Sequence, residues 1–209
     1  IGGDIAGLIR DNTVLIWCES PGSLTFEMQD IPAIAAAAHD RGVKVMLDNT
    51  WASPILCRPF DMGVDVSVQA GTKYIVGHSD VMMGTITTAT EEDLLTIKKQ
   101  VLISGDAIGP DDCYLAQRGL RTLAVRMKQH HTSGLKVANW LHTRSEITRV
   151  LHPALPDHPG HEIWKRDFSG ACGLFSFVMQ PVEKKQLANM VDNMDLFGMG
   201  FSWGGFESL

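Results

Sequence analysis

Apolar and polar positions divide the chain into two textures, a strand–helix alternation followed by a loop-rich α+β stretch. Residues 13–19 (TVLIWCE) form a continuous apolar, β-rich run, which predicts a strand covered on both faces. Pro21-Gly22-Ser23 breaks it. Asp30 then stands as a helix cap with Pro32 in the first turn, and the alanine-rich stretch 33–38 predicts a helix ending before Gly42. A second apolar run closes on Asp48, a short element covers 54–62, and a third run, 65–68, leads into Ala70-Gly71-Thr72-Lys73-Tyr74. Residues 83–88 (MGTITT) read as a fourth strand. This rhythm predicts a mostly parallel sheet with right-handed crossovers.

A helix led by acidic residues follows over 91–103, then a long helical region over 111–143 with interruptions near Gly119 and Gly134. Its basic middle (Arg118, Arg121, Arg126, Lys128) reads as a solvated helix face. From residue 150 the Pro- and His-rich segment HPALPDHPGHEIW leads to a strand over 173–179, a helix over 183–194 and a strand over 196–199. We expect residues 1–119 to belong to a large domain, and 120–209 to form a linking helix and the first part of a smaller one.

Composition narrows the function classes. A net charge of −6 argues against nucleic acid or an anionic membrane as partner. No apolar stretch approaches the roughly 20 residues of a membrane span, and the N-terminus lacks a signal peptide's basic start and cleavage site. The four cysteines are scattered without a CxxC pair, so a zinc site or disulfide scaffold is not expected and a reducing cytoplasm is. Cys18 and Cys172 lie in apolar runs and are expected in the core. His158, His161 and Glu162 lack a zincin's spacing, and no metal is expected there. The chain starts without methionine and ends just after a glycine-rich turn, which reads as an internal piece of a longer protein.

The candidate chemistry lies at two strand ends. In a parallel α/β sheet, Asp48 and Lys73 emerge at the same edge, where ligand sites form. A carboxylate and an amine so placed suit pyridoxal phosphate (PLP): lysine forms the Schiff base, and aspartate keeps the pyridine nitrogen protonated. A nicotinamide-binding Rossmann domain is excluded, because no GxGxxG turn follows the first strand.

The blocks around these residues resemble the Cys/Met-metabolism family of PLP enzymes. They are Glu19-Ser20-Pro21-Gly22-Ser23, Asp48-Asn49-Thr50-Trp51-Ala52, Gln69-Ala70-Gly71-Thr72-Lys73-Tyr74 and Gly77-His78-Ser79-Asp80. Arg118-Gly119-Leu120-Arg121-Thr122-Leu123, Arg126, His152-Pro153-Ala154-Leu155-Pro156 and Ser202-Trp203-Gly204-Gly205-Phe206-Glu207-Ser208-Leu209 continue them in family order. The resemblance implies fold type I, the aspartate aminotransferase-like α/β architecture. It implies Lys73 as the Schiff-base lysine and proton carrier, Asp48 at the ring nitrogen, and Thr72 at the phosphate.

Two positions depart from the pattern. Many relatives have a second hydroxyl where this chain has Ala70, which leaves the phosphate to Thr72, backbone amides and residues elsewhere. Ser23 stands where relatives often have asparagine near the ring oxygen or substrate carboxylate, and is kept as a cofactor-binding candidate. Ser202 and Trp203 are the expected substrate-binding residues. Synthases and γ-lyases usually carry leucine at the Trp203 position, so the resemblance leans to the bacterial β-lyase branch and β-elimination of L-cystathionine. γ-Synthase, γ-lyase or cysteine desulfhydrase activity is the alternative. The family also implies a homotetramer built from dimers. Its phosphate loop, ring-stacking tyrosine and substrate-binding arginine have no counterpart in this chain, so an inactive fragment is a further reading. Trp51 and His78 are expected to serve packing and loop hydrogen bonding.

Overall fold

The computed structural model describes residues 5–208; residues 1–4 and Leu209, at the outer ends of the two expected domains, lie outside them. In chain order the elements are α1 (Ile5–Leu8), β1 (Leu15–Glu19), α2 (Ile31–His39), β2 (Lys44–Asp48), α3 (Ser53–Leu56), a 3-10 turn (Pro59–Met62), β3 (Val66–Ala70) and β4 (Gly84–Thr88). There follow α4 (Glu91–Ser104), α5 (Pro110–Leu120), α6 (Leu123–His142), β5 (Ile147–Leu151), α7 (His161–Asp167), β6 (Ser176–Met179) and α8 (Lys184–Asp192).

The first four strands form one sheet in the order β1-β2-β3-β4. β1, β2 and β3 are parallel, and β4 returns antiparallel to β3. A parallel return needs a crossover, usually helical. Residues 71–83 instead fold into the Lys73 turn and come back beside the strand they left. Glu19, Asp48 and Val68 are register partners at the strand ends. The Lys73 turn therefore begins two residues beyond the Asp48 level.

Alternation along β2 explains the core. Val45 and Leu47 are fully buried against Ile31, Ile34, Ala35 and Ala38 of α2. The start of α2 follows its sequence signals: Asp30 accepts from the Ala33 amide at 3.2 Å, with a proline in the first turn. The opposite face of the sheet differs from expectation. Leu15, Trp17 and Ile86 are exposed there, so β1 is covered on one face only among the described residues.

The long helical region divides at Arg121-Thr122, between α5 and α6, near Gly119 as expected but not at Gly134. The Gly119 carbonyl accepts from the Thr122 amide, the Thr122 hydroxyl and Arg126 Nη2, which diverts it from the helical ladder. At Gly134 the helix is unbroken, and it packs there against the Cys172 carbonyl. The first half of α6 joins the main core through Leu123 and Met127; its second half joins a separate cluster through Ala138 and Leu141. That second cluster sits on a two-stranded antiparallel sheet of β5 and β6. The sequence reading missed β5 and began β6 at 173; ladder pairing starts at Ser176. The strand expected over 196–199 does not form, and Leu196 and Met199 are exposed. Cys18 and Cys172 are buried as expected.

Candidate functional site

β3 delivers the chain into a tight turn in which the Lys73 amide donates to the Ala70 carbonyl, Val76 to Gly71 and Gly77 to Lys73, at 2.9–3.0 Å. Thr72 ties this turn to the start of β4. Its hydroxyl accepts from the Met83 amide at 2.9 Å and donates to the Met83 carbonyl at 3.2 Å. Lys73 is half-buried, and its Nζ donates to Ser202 Oγ at 3.1 Å across 129 positions of sequence. The same Nζ lies 5.6 Å from the centre of the Trp203 ring. No carboxylate pairs with this amine among the described residues.

The segment carrying Ser202 and Trp203 packs directly on the lysine backbone. Gly204 has φ +78°, and a Cβ there would come within 3.0 Å of the Lys73 carbonyl carbon and the Tyr74 nitrogen. The Trp203 ring meets Tyr74 edge-on, with centres 5.3 Å apart, and Tyr74 meets His130 in the same way at 5.0 Å. Burial pushes the Tyr74 hydroxyl well above its ordinary pKa, and burial followed by the nearby Arg126 charge pushes His130 down.

Asp48 is organised by its own loop. Its Oδ1 accepts from the Thr50 amide at 2.9 Å and from the Thr50 hydroxyl, and that hydroxyl oxygen accepts from the Ala70 amide at 2.8 Å. A hydrogen-bonded thread thus runs from the Asp48 carboxylate to the residue whose carbonyl starts the Lys73 turn. Asp48 Oδ2 makes no hydrogen bond among the described residues.

The other candidates stand apart. Ser23 is exposed, and its hydroxyl donates to Glu19 Oε1 at 2.8 Å; it makes no hydrogen bond to Asp48, Thr72, Lys73 or Ser202. Trp51 is a packing residue, donating from Nε1 to the Leu174 carbonyl at 2.9 Å and meeting Phe168 edge-on. His78 donates from Nδ1 to the Val76 carbonyl at 2.9 Å, a loop bond. His158 and His161 are likewise engaged with backbone, at Gly160 and Pro153. Two contributors escaped sequence reasoning. Thr50 was legible in principle, since an aspartate bonding the amide two residues on is an Asx turn. Arg126, expected on a solvated face, is instead half-buried, and its guanidinium bonds the carbonyls of Tyr74, Ile75 and Gly119.

Comparison with known proteins fixes the family. The model of Cys/Met metabolism PLP-dependent enzymes matches residues 1–209. The chain belongs to this family. It is 48% identical over 212 residues to the cystathionine beta-lyase of Escherichia coli K12, covering all of this chain and 53% of that protein. It is 47% identical over 207 residues to an L-alanine/L-glutamate racemase of Wolbachia pipientis, covering 99% and 51%. A solved cystathionine gamma-lyase from Lactobacillus plantarum, in complex with L-serine, superposes with TM-score 0.93 at 31% identity, covering 97% of this chain and 53% of that one. The chain spans about half the length of the curated relatives it matches.

The residues at Lys73 fit the family's cofactor at one end. An amine without a carboxylate partner and a carboxylate oxygen without a donor suit the aldehyde and the protonated ring nitrogen of PLP. The phosphate end is less provided for, because the Thr72 hydroxyl is engaged with Met83 and position 70 has no hydroxyl.

Proposed function

We propose that the protein carrying this chain is a PLP-dependent carbon–sulfur lyase that splits L-cystathionine by β-elimination. The observation that carries this reading is the contact of Lys73 Nζ with Ser202 Oγ at 3.1 Å beneath the Trp203 ring. When bound, PLP supplies an electron sink for the charge left on the substrate Cα. Asp48 would hold the ring nitrogen through its unengaged Oδ2, while Thr50 fixes Oδ1 and so the plane of the carboxylate. Lys73 Nζ takes the Cα proton and returns a proton to the departing sulfur, one amine serving as base and then acid. Ser202 Oγ steers that amine by accepting its hydrogen bond. Trp203 limits the space beside it and excludes water. Cleavage of the Cβ–S bond releases homocysteine, and hydrolysis of the remaining three carbons gives pyruvate and ammonia. Thr72 would contribute its hydroxyl to the phosphate by giving up its longer, 3.2 Å bond to the Met83 carbonyl. Ser23, bonded to Glu19, would have to leave that bond to donate to the cofactor.

The assay is product analysis with L-cystathionine and the full-length protein. Pyruvate with homocysteine supports the reading. Predominant 2-oxobutyrate would assign γ-elimination, the activity in the name of the Lactobacillus relative, and interconversion of alanine enantiomers without pyruvate would assign racemisation. We further propose a homotetramer assembled from dimers, measurable by light scattering, a cytoplasmic setting, and a domain boundary between residues 119 and 120. No helix among the described residues is long and apolar enough to cross a membrane.

A further inference from the structure

We propose that Arg126 is a positioning residue for Lys73. Its guanidinium makes hydrogen bonds in four directions: Nη1 to the Tyr74 carbonyl at 2.7 Å, Nη2 to the Ile75 carbonyl at 3.3 Å and the Gly119 carbonyl at 2.9 Å, and Nε to the Thr122 hydroxyl at 3.0 Å. Two of these acceptors immediately follow Lys73 in the chain. The turn is short, closed by only a few amide bonds, and its outgoing carbonyls need donors from elsewhere. Arg126 supplies them from another element, α6.

The desolvation argument points the same way. Arg126 is half-buried, burial lowers its pKa, and no carboxylate pairs with it among the described residues. A cation withdrawn from water without a counter-ion is costly unless its donors are met. Here backbone carbonyls meet them, and the planar fork fixes their relative directions as a lysine ammonium cannot. Gly77 closes the clamp: its φ is +73°, and a Cβ there would lie 2.3 Å from Arg126 Nη1. The backbone around Lys73 is thus packed against Gly204 and, over the two residues that follow it, held by Arg126 from α6. The Nζ of Lys73, carried on this backbone, reaches Ser202 Oγ at 3.1 Å. Misplacement by an ångström costs an enzyme on the order of a hundredfold in rate.

This inference rests on Lys73 carrying the cofactor, and its test separates the two ideas. In the full-length protein, Arg126→Lys, Arg126→Ala and Gly77→Ala are compared with wild type and an Arg118→Lys control. The first readout is borohydride trapping of PLP on Lys73, located by peptide mass; the others are kcat and KM for elimination, and the thermal midpoint. Arg126→Lys is expected to slow trapping and lower kcat by about tenfold or more, with KM within about twofold and a midpoint close to the control's. Gly77→Ala also slows trapping and lowers kcat, by more than its lowered midpoint accounts for, since its positive φ strains any residue with a Cβ, and added guanidinium restores trapping to Arg126→Ala. Unchanged trapping and kcat in Arg126→Lys would overturn the proposal. So would losses that follow only the unfolded fraction, or a folded Arg126→Ala that guanidinium does not rescue. Wild type that traps no PLP at Lys73 overturns the functional reading and this inference with it. Trapping without elimination overturns the lyase reading alone.

Discussion

His152 sets an acid limit on this fold. The side chain is fully buried, and its Nδ1 accepts from the Ala154 amide at 3.1 Å, so the neutral ring carries its hydrogen on Nε2. That Nε2 has no partner among the described residues. Protonating Nδ1 would break the Ala154 bond and bury a charge. Burial, with His131 and His158 as further positive neighbours, pushes the pKa from 6.5 down to about 4. In the unfolded chain the ring titrates at its ordinary value, so between the two values the unfolded state binds a proton that the folded state refuses. The contribution is fully present above about pH 6.5, shrinks as pH falls and is constant below about pH 4. Linkage gives a loss of about 1 kcal/mol at about pH 5.5 and about 2–3 kcal/mol at about pH 4.5. His152→Asn leaves an oxygen to accept from Ala154 and removes the titration. Urea unfolding of both proteins across this range should show the variant's stability falling less steeply, by those amounts, on top of the usual carboxylate effects. Ring-proton resonances should show His152 neutral at about pH 5.5. Parallel stability curves, or a His152 that titrates near its ordinary pKa, would refute the reasoning.

Other substitutions probe the site more directly. Thr50→Val removes a donor to Asp48 and the acceptor of the Ala70 amide; it should cost about 1–3 kcal/mol and speed PLP loss on dialysis. Ser202→Ala frees the Lys73 amine and should lower kcat about tenfold with the thermal midpoint unchanged, whereas a midpoint drop matching the rate loss would make Ser202 structural. Trp203→Leu should raise the share of 2-oxobutyrate among the products, since it substitutes the residue usual in γ-lyases; an unchanged ratio would remove Trp203 from specificity. Gly134→Leu places its Cβ about 3.0 Å from the Cys172 carbonyl and should destabilise by about 1–3 kcal/mol in thermal unfolding.

What could be read from the sequence was whatever local chemistry dictates. The Asp30 cap, the buried alternation of Val45 and Leu47, and the strand end at Asp48 all depend on neighbours within a few positions. The break expected near Gly119 forms, whereas none forms at Gly134, because glycine is a weak breaker when packing favours continuity, as Gly134 against Cys172 does. What ends α5 is the competition for the Gly119 carbonyl, in which Arg126 takes part from seven positions away. Arg126 itself looked like one more cation on a basic face, because composition does not reveal that carbonyls 51 and 52 positions distant will surround it. The strand at 147–151 went unseen for a similar reason: its exposed Thr148 and Arg149 alternate weakly, and its ladder partner lies beyond an intervening helix. Sequence blocks put Ser202 in the pocket by resemblance; only the fold brings its hydroxyl to Lys73.

The closeness of Trp203 to Lys73 gives this site a built-in optical gauge. An indole centred 5.6 Å from the amine lies far inside energy-transfer range of any visible chromophore attached there. Cofactor capture, substrate exchange and release can each be followed in real time as quenching and recovery of the Trp203 share of the emission from the chain's five tryptophans, with no label added to the protein.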